Sequence, residues 1–188
     1  SAFYDCTGLT SIEIPNSVTE IRGDAFSGCT GLTSIEIPNS VKKIGDAFAG
    51  CTGLTSIVIP KSVTVIGERA FVGCTGLTSI EIPNSVTVIG CAAFRGCTGL
   101  TSIKIPDSVT KIESSAFLDC TGLTSIFVAD ENQHYCSEEG ILYSKDKSLL
   151  HTCLSSKTGN ISIPNSVTKI EDWAFHGCTG LTSIVIPD

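Results

Sequence analysis

Two short stretches hold the residue types best suited to chemistry, His134-Tyr135-Cys136 and His151-Thr152-Cys153. Two His-x-Cys pairs offer four nitrogen and sulfur donors, the number that a tetrahedral zinc site takes. Their spacing matches none of the common zinc patterns, and His-x-Cys also arises wherever two residues share one strand face. A Cys136–Cys153 disulfide stapling a hairpin is the stronger reading, and would suit an extracellular setting; two ordinary thiols are the third. Carboxylates form a second set, because Glu13, Glu36 and Glu81 recur at equivalent places and invite comparison with a hydrolase dyad. Stacked ~4.8 Å apart they would repel one another, and no second polar group accompanies them. The chain has three histidines, His134, His151 and His176, and none has the context of a catalytic triad. The expectation is a non-enzymatic chain without a metal or cofactor.

What must position these residues is a repeat. The phrase Cys-Thr-Gly-Leu-Thr-Ser-Ile begins at Cys6, Cys29, Cys51, Cys74, Cys97, Cys120 and Cys178, in steps of 23, 22, 23, 23, 23 and 58 residues. A fixed period of this size marks a solenoid whose units touch only their neighbours. Within one unit, Ile12 and Ile14 share a face of a short strand while Glu13 takes the other, and Pro15 ends it. Asn16 and Ser17 suit a turn, Val18 and Ile21 anchor a second extended piece, and Ala25-Phe26 reads as a helical or 3₁₀ turn with its ring inward. The repeated cysteines then look like small buried residues rather than a redox or metal array. Their parallel Cβ vectors also disfavour disulfides between neighbours. Cys91 falls on an outer turn and is the thiol expected to be exposed. The threonine row from Thr10 to Thr182 invites comparison with ice- or polysaccharide-binding lattices, but β-branched residues favour strands without any such role.

The pattern Leu9-x-x-Ile12-x-Ile14-Pro15-x-Ser17-Val18-x-x-Ile21, followed by Ala25-Phe26-x-x-Cys29, resembles the BspA-like leucine-rich repeat family. The resemblance runs over essentially the whole chain. It implies a right-handed leucine-rich-repeat solenoid, with a parallel concave sheet of about eight strands and short extended or 3₁₀/helical turns on the convex side. It also implies the company of cell-surface and secreted proteins that bind host matrix, host cells or other microbes. The stretch Asn132-x-x-Tyr135 followed by Gly140-Ile141-Leu142-Tyr143 is similar to an insert that such chains carry.

The interval of 58 residues is one normal unit plus an enlarged one. The enlarged repeat spans 127–160, and within it Gly140–Ser144, a polar turn and Ser148–His151 read as a β-hairpin. Residues 1–188 are expected to form one repeat domain. Both ends fall in mid-repeat and methionine is absent, which reads as a piece of a longer chain. A formal charge of -7 leaves no basic stripe for nucleic acid, and no apolar run reaches the ~20 residues needed to cross a bilayer.

Function is expected where the copies differ. The column Glu13, Glu36, Val58, Glu81, Lys104 and Phe127 points outward from the concave sheet. With Tyr135 and Tyr143 on a protruding insert, it is the expected contact surface for a protein or glycan partner at the cell surface or outside the cell. The alternative is structural, with copies associating end to end into filaments, layers or spacers.

Overall fold

The computed structural model describes residues 1–186; Pro187 and Asp188 lie outside the described residues. The chain winds as a parallel β-solenoid with two walls. Its strands are β1 (Lys43–Ile44), β2 (Val65–Ile66), β3 (Val88–Ile89), β4 (Ser102–Ile105), β5 (Lys111–Ile112) and β6 (Ser125–Val128). They continue with β7 (Tyr135–Glu138), β8 (Ile141–Ser144), β9 (Leu149–Cys153), β10 (Thr158–Ser162), β11 (Lys169–Ile170) and β12 (Gly180–Val185). The Ile-x-Ile segments build the first wall and the Val-x-x-Ile segments the second. A coil, counted from one repeated cysteine, passes through the first wall, the second wall and the Ala-Phe turn.

The repeated residues are the means by which coils stack. Phenyl rings of Phe3, Phe26, Phe48, Phe71, Phe94 and Phe117 lie parallel in one file, with centroids 5.2 to 5.8 Å apart. Five of the repeated cysteines, Cys29 to Cys120, donate their thiols to the phenylalanine carbonyl one turn back in the file of rings: Cys51 to Phe26, Cys74 to Phe48 and Cys97 to Phe71, at 3.0 to 3.1 Å. Burial pushes the Cys51 and Cys120 thiols up to about 12, and those of Cys74 and Cys97 higher still. They are weak donors locked in a core, as the repeat suggested. Serine hydroxyls tie the next corner, with Ser62, Ser85 and Ser108 donating to the carbonyls of Val41, Val63 and Val86. The glycine of the phrase is fixed by close approach, since a Cβ at Gly53 would run into the Thr30 carbonyl oxygen of the preceding coil.

Two expectations need correcting. First, the Ala-Phe segments are turns, and no helix occurs among the described residues. Their N–H groups turn outward to the next coil instead of back along their own chain: Phe26 donates to Ala47 and Gly28 to Ala49, both at 2.8 Å. Second, the first wall is not one continuous eight-stranded ladder. It consists of the pairs β4–β6 and β10–β12, with single bridges Glu36–Val58 and Val58–Glu81. Each Ile-x-Ile run is short and closed by a proline that has no N–H to donate, so few residues per coil can pair.

The sixth coil departs from the others. In frame with Ile44, its second-wall residue is Tyr135, and in frame with Val41 it has Asn132. Glu131 replaces the corner serine, so no hydroxyl remains to cap Val109. Asn132 takes over that role. It is the one buried polar side chain among the described residues; its Nδ2 donates to the carbonyls of Pro106 and Val109, and its Oδ1 accepts from the N–H groups of His134 and Tyr135. The chain then runs through β7, β8 and β9 as an antiparallel meander, after which β9 pairs in parallel with β11. The expected hairpin is present as β8 and β9, but it does not protrude: all three strands are incorporated in the second wall. The Tyr135 hydroxyl accepts from the Ile112 N–H at 2.7 Å, joining that meander to β5. Because the second wall gains strands here and the first does not, β6 and β10 do not pair, and the core divides into two clusters, one around each half.

The Cys136–Cys153 disulfide is also corrected. Both thiols are free. Cys136 sits on β7 opposite Tyr143 and Cys153 on β9 opposite Ile141, so β8 lies between them. Two strand spacings come to ~9.6 Å, beyond the Cα separation a disulfide spans.

Two outcomes follow for stability and thiol reactivity. Asn132→Ala leaves buried N–H and carbonyl groups unpaired and is expected to cost about 3 kcal/mol or more in urea unfolding. Asn39→Ala, on an exposed turn, should stay within about 0.5 kcal/mol; equal effects would contradict the corner role. In native protein at mildly alkaline pH, alkylation should reach Cys6 and Cys91 first and leave Cys51, Cys74, Cys97 and Cys120 unmodified until unfolding exposes all ten thiols. Labelling of the ladder thiols at the Cys91 rate in folded protein would refute their burial.

Candidate partner-binding face

The outward column of the first wall is assembled by strand alternation. Ile35 and Ile37 turn inward and are buried, which leaves Glu36 facing solvent between them. Pairing aligns the variable residues coil by coil: Glu36 with Val58, Val58 with Glu81, and Lys104 with Phe127. The expected column of Glu13, Glu36, Val58, Glu81, Lys104 and Phe127 is therefore brought together and exposed along its whole length. Rungs repeat at ~4.8 Å, so carboxylates, an ammonium and two apolar groups are displayed in fixed order on a stiff scaffold.

Two members cost the folded chain something. Val58 is 72% exposed and Phe127 58%, and Val185 is exposed at the equivalent place in the last coil, while five other coils carry Glu, Lys or Ser there. Shallow hollows flank the column, one bounded by Glu13, Asn16, Glu36 and Pro38, the other by Lys104, Asp107, Asp130 and Glu131. Beside the column runs the threonine row, in which several hydroxyls are engaged within the solenoid: Thr55 donates to the Thr33 carbonyl at 3.3 Å and Thr124 to that of Thr101 at 3.1 Å.

Tyr135 and Tyr143 do not belong to this face. They are 6% and 2% exposed, because the strands that carry them complete the second wall. Burial pushes the Tyr143 hydroxyl up to about 12. The Tyr135 ring tilts against His151 at 5.2 Å, and burial also lowers the affinity of His151 for a proton. The His134–Cys136 pair, at the start of β7, and the His151–Cys153 pair on β9 are likewise separated by β8, and no group of three or more metal-binding side chains converges among the described residues.

Sequence reasoning missed a second exposed feature on the turn side. Trp173, the only tryptophan, is 63% exposed with a φ of 63°. It occupies the turn position held elsewhere by Asp24, Arg69, Ala92 and Ser115, all of which share the left-handed backbone. A cleft beside it separates residues 112–118 from Glu171–Trp173 and is floored by Leu142, His151 and Thr152. The available signal was register: Trp173 precedes Ala174-Phe175 as the exposed Arg69 precedes Ala70-Phe71.

The sequence profile of the BspA type leucine-rich repeat region matches residues 1–124 and 147–188, in six copies. No curated protein sequence matches. Among solved structures, a leucine-rich cell surface protein of Faecalibacterium prausnitzii A2-165 is 33% identical with a TM-score of 0.76, covering 95% of this chain and 55% of its own. A leucine-rich repeat protein of Eubacterium ventriosum ATCC 27560 is 27% identical with a TM-score of 0.72, covering 83% and 48%. The pneumococcal vaccine antigen PcpA is 25% identical with a TM-score of 0.74, covering 91% and 51%. The chain thus spans about half the length of these solved relatives. Its coil geometry, its stacked phenylalanines and its matched repeats agree: the chain belongs to the BspA type leucine-rich repeat family.

Proposed function

We propose that this chain is a non-enzymatic binding module of a cell-surface or secreted protein, and that it grips a protein or glycan partner through the first-wall column. The observation that carries this reading is the placement of Phe127 and Val58. Both expose apolar surface on a wall whose packing needs none of it, at a position held in other coils by Glu13, Glu36, Glu81, Lys104 and Ser162 and, in the last, by the equally exposed Val185. An exposed aromatic ring on a rigid face is the kind of group in which contact surfaces are enriched. The glutamates and Lys104 add a charge pattern that selects among partners and steers their approach. The cell-surface relative from Faecalibacterium supports the setting.

The test is binding of the purified chain to panels of immobilised matrix proteins and glycans. For any ligand captured, Phe127→Ala and Lys104→Glu should each weaken affinity about tenfold, with the urea midpoint unchanged because both side chains are exposed. Full affinity in both variants would remove the first wall as the contact surface.

A further inference from the structure

Cys153 holds a place that belongs to phenylalanine in the regular coils. There the turn phenylalanine donates its N–H to the alanine carbonyl of the next turn, Phe71 to Ala93 at 2.8 Å and Phe94 to Ala116 at 2.9 Å. Cys153 donates to Ala174 in the same way, at 2.7 Å. The meander has thus put a thiol where a ring would stand, one turn before Phe175. A repeated cysteine is set against the carbonyl of that place one turn back, as Cys97 is against Phe71. Cys178 follows the rule, and the residue it meets is Cys153. Elsewhere the repeated cysteines form one column of parallel side chains, a poor geometry for disulfides. Here two different columns bring two thiols together.

The Cys178 sulfur lies 3.7 Å from the Cys153 carbonyl oxygen, 3.6 Å from that of Leu154 and 4.0 Å from that of His176. The Cys153 sulfur lies 3.7 Å from the same Leu154 oxygen. Both sulfurs therefore converge on one atom, and the Cys153 thiol donates to the Cys178 sulfur. Cys178 has none of the contacts of 3.0 to 3.1 Å that hold Cys51, Cys74 and Cys97, and it is half-buried where they are buried. Burial pushes the Cys153 thiol up to about 12; it raises Cys178 as well, but the hydrogen bond from Cys153 works against that rise. Cys178 is the reachable thiol and the readier nucleophile, with Cys153 buried behind it. Cys136, on the far strand of the meander, donates to the Ser144 carbonyl at 3.3 Å instead.

We propose that Cys153 and Cys178 are the site of a reversible disulfide, formed by exchange with an external disulfide, that ties β9 to the coil beginning at Cys178. The Cys178 thiol gives its proton to water, and its sulfur attacks one sulfur of the external disulfide. That S–S bond breaks, and the departing thiolate takes up a proton. Cys153 then loses its proton and attacks the Cys178 sulfur, expelling the second thiolate, which is protonated in turn. One disulfide is made and one is reduced, so no other oxidant is needed. An oxidising extracellular setting favours the bonded state and a reducing one the dithiol. The bond staples the second core cluster, which contains Cys153 and packs against Cys178. It does not depend on the reading of the first wall.

The reduced chain is incubated with oxidised glutathione at mildly alkaline pH, remaining thiols are blocked with iodoacetamide, and tryptic peptides are read by mass spectrometry without reduction. Cleavage after Lys147, Lys157 and Lys169 leaves Cys153 as the one cysteine of peptide 148–157 and Cys178 as the one cysteine of 170–188. Expected is a single species joining these two peptides, which dithiothreitol separates. Cys153→Ser should trap glutathione on Cys178, whereas Cys178→Ser should leave Cys153 carrying about tenfold less. The proposal is overturned if the two peptides stay separate, or if 148–157 is joined instead to 112–145, which holds Cys136. It is also overturned if Cys153 takes up glutathione in Cys178→Ser as readily as Cys178 does in Cys153→Ser. The first two outcomes are read on the unaltered chain, so they decide the matter even where a serine variant fails to fold.

Discussion

Each coil passes the N–H groups of its turn to the coil that follows, and without that coil they have no acceptor within the protein. Buried main-chain donors are costly to leave unpaired, so a single coil is not a stable object and the fold exists only as a stack. The columns of the repeat follow from this. Glycine sits in the phrase because the preceding carbonyl would collide with a Cβ there. Cysteine and serine donate backward to the carbonyls of phenylalanine and valine. Phenylalanine fills the space between turns with rings at the distance of coil separation. None of the residues so tied is free to do anything else.

The same constraint makes the sixth coil informative. It keeps the repeat in frame as far as Tyr135, substitutes Asn132 for valine to rescue the corner that lost its serine, and then adds strands to only one wall. The consequences are confined to that place: β6 and β10 part, the core divides, and the turn ladder is interrupted. A solenoid of this kind tolerates an insertion because each contact is with a nearest neighbour. Among the described residues, the interruption leaves the Phe117 and Asp119 N–H groups at the edge of the fifth coil without an acceptor.

Most of the fold was legible because every coil repeats the same physical requirement. The inward Ile12 and Ile14 and the outward Glu13 follow from alternation, and the burial of Cys51 or Cys74 from a small residue recurring at a tight corner. The errors lie where a local motif was read without its register. Tyr135 and Tyr143 looked like exposed aromatics on a projecting hairpin, yet aligning Tyr135 with Ile44 puts it in the second wall. Cys136 and Cys153 looked like partners because they flank a hairpin, and the strand between them was overlooked. The exposure of Trp173 was legible from register, since it precedes Ala174-Phe175 as the exposed Arg69 precedes Ala70-Phe71, and it was missed because the turn side was read as scaffold alone.

The account rests on the ladder of turn donors and on its interruption after the fifth coil. Native-state hydrogen exchange of individual amides tests both at once. The Phe26, Phe48, Phe71 and Phe94 amides should exchange slowly and by the same global opening, while those of Phe117 and Asp119 exchange orders of magnitude faster although the Phe117 ring is stacked and buried. Protection of Phe117 equal to that of Phe94 would mean that the ladder continues past the fifth coil, and would contradict the account.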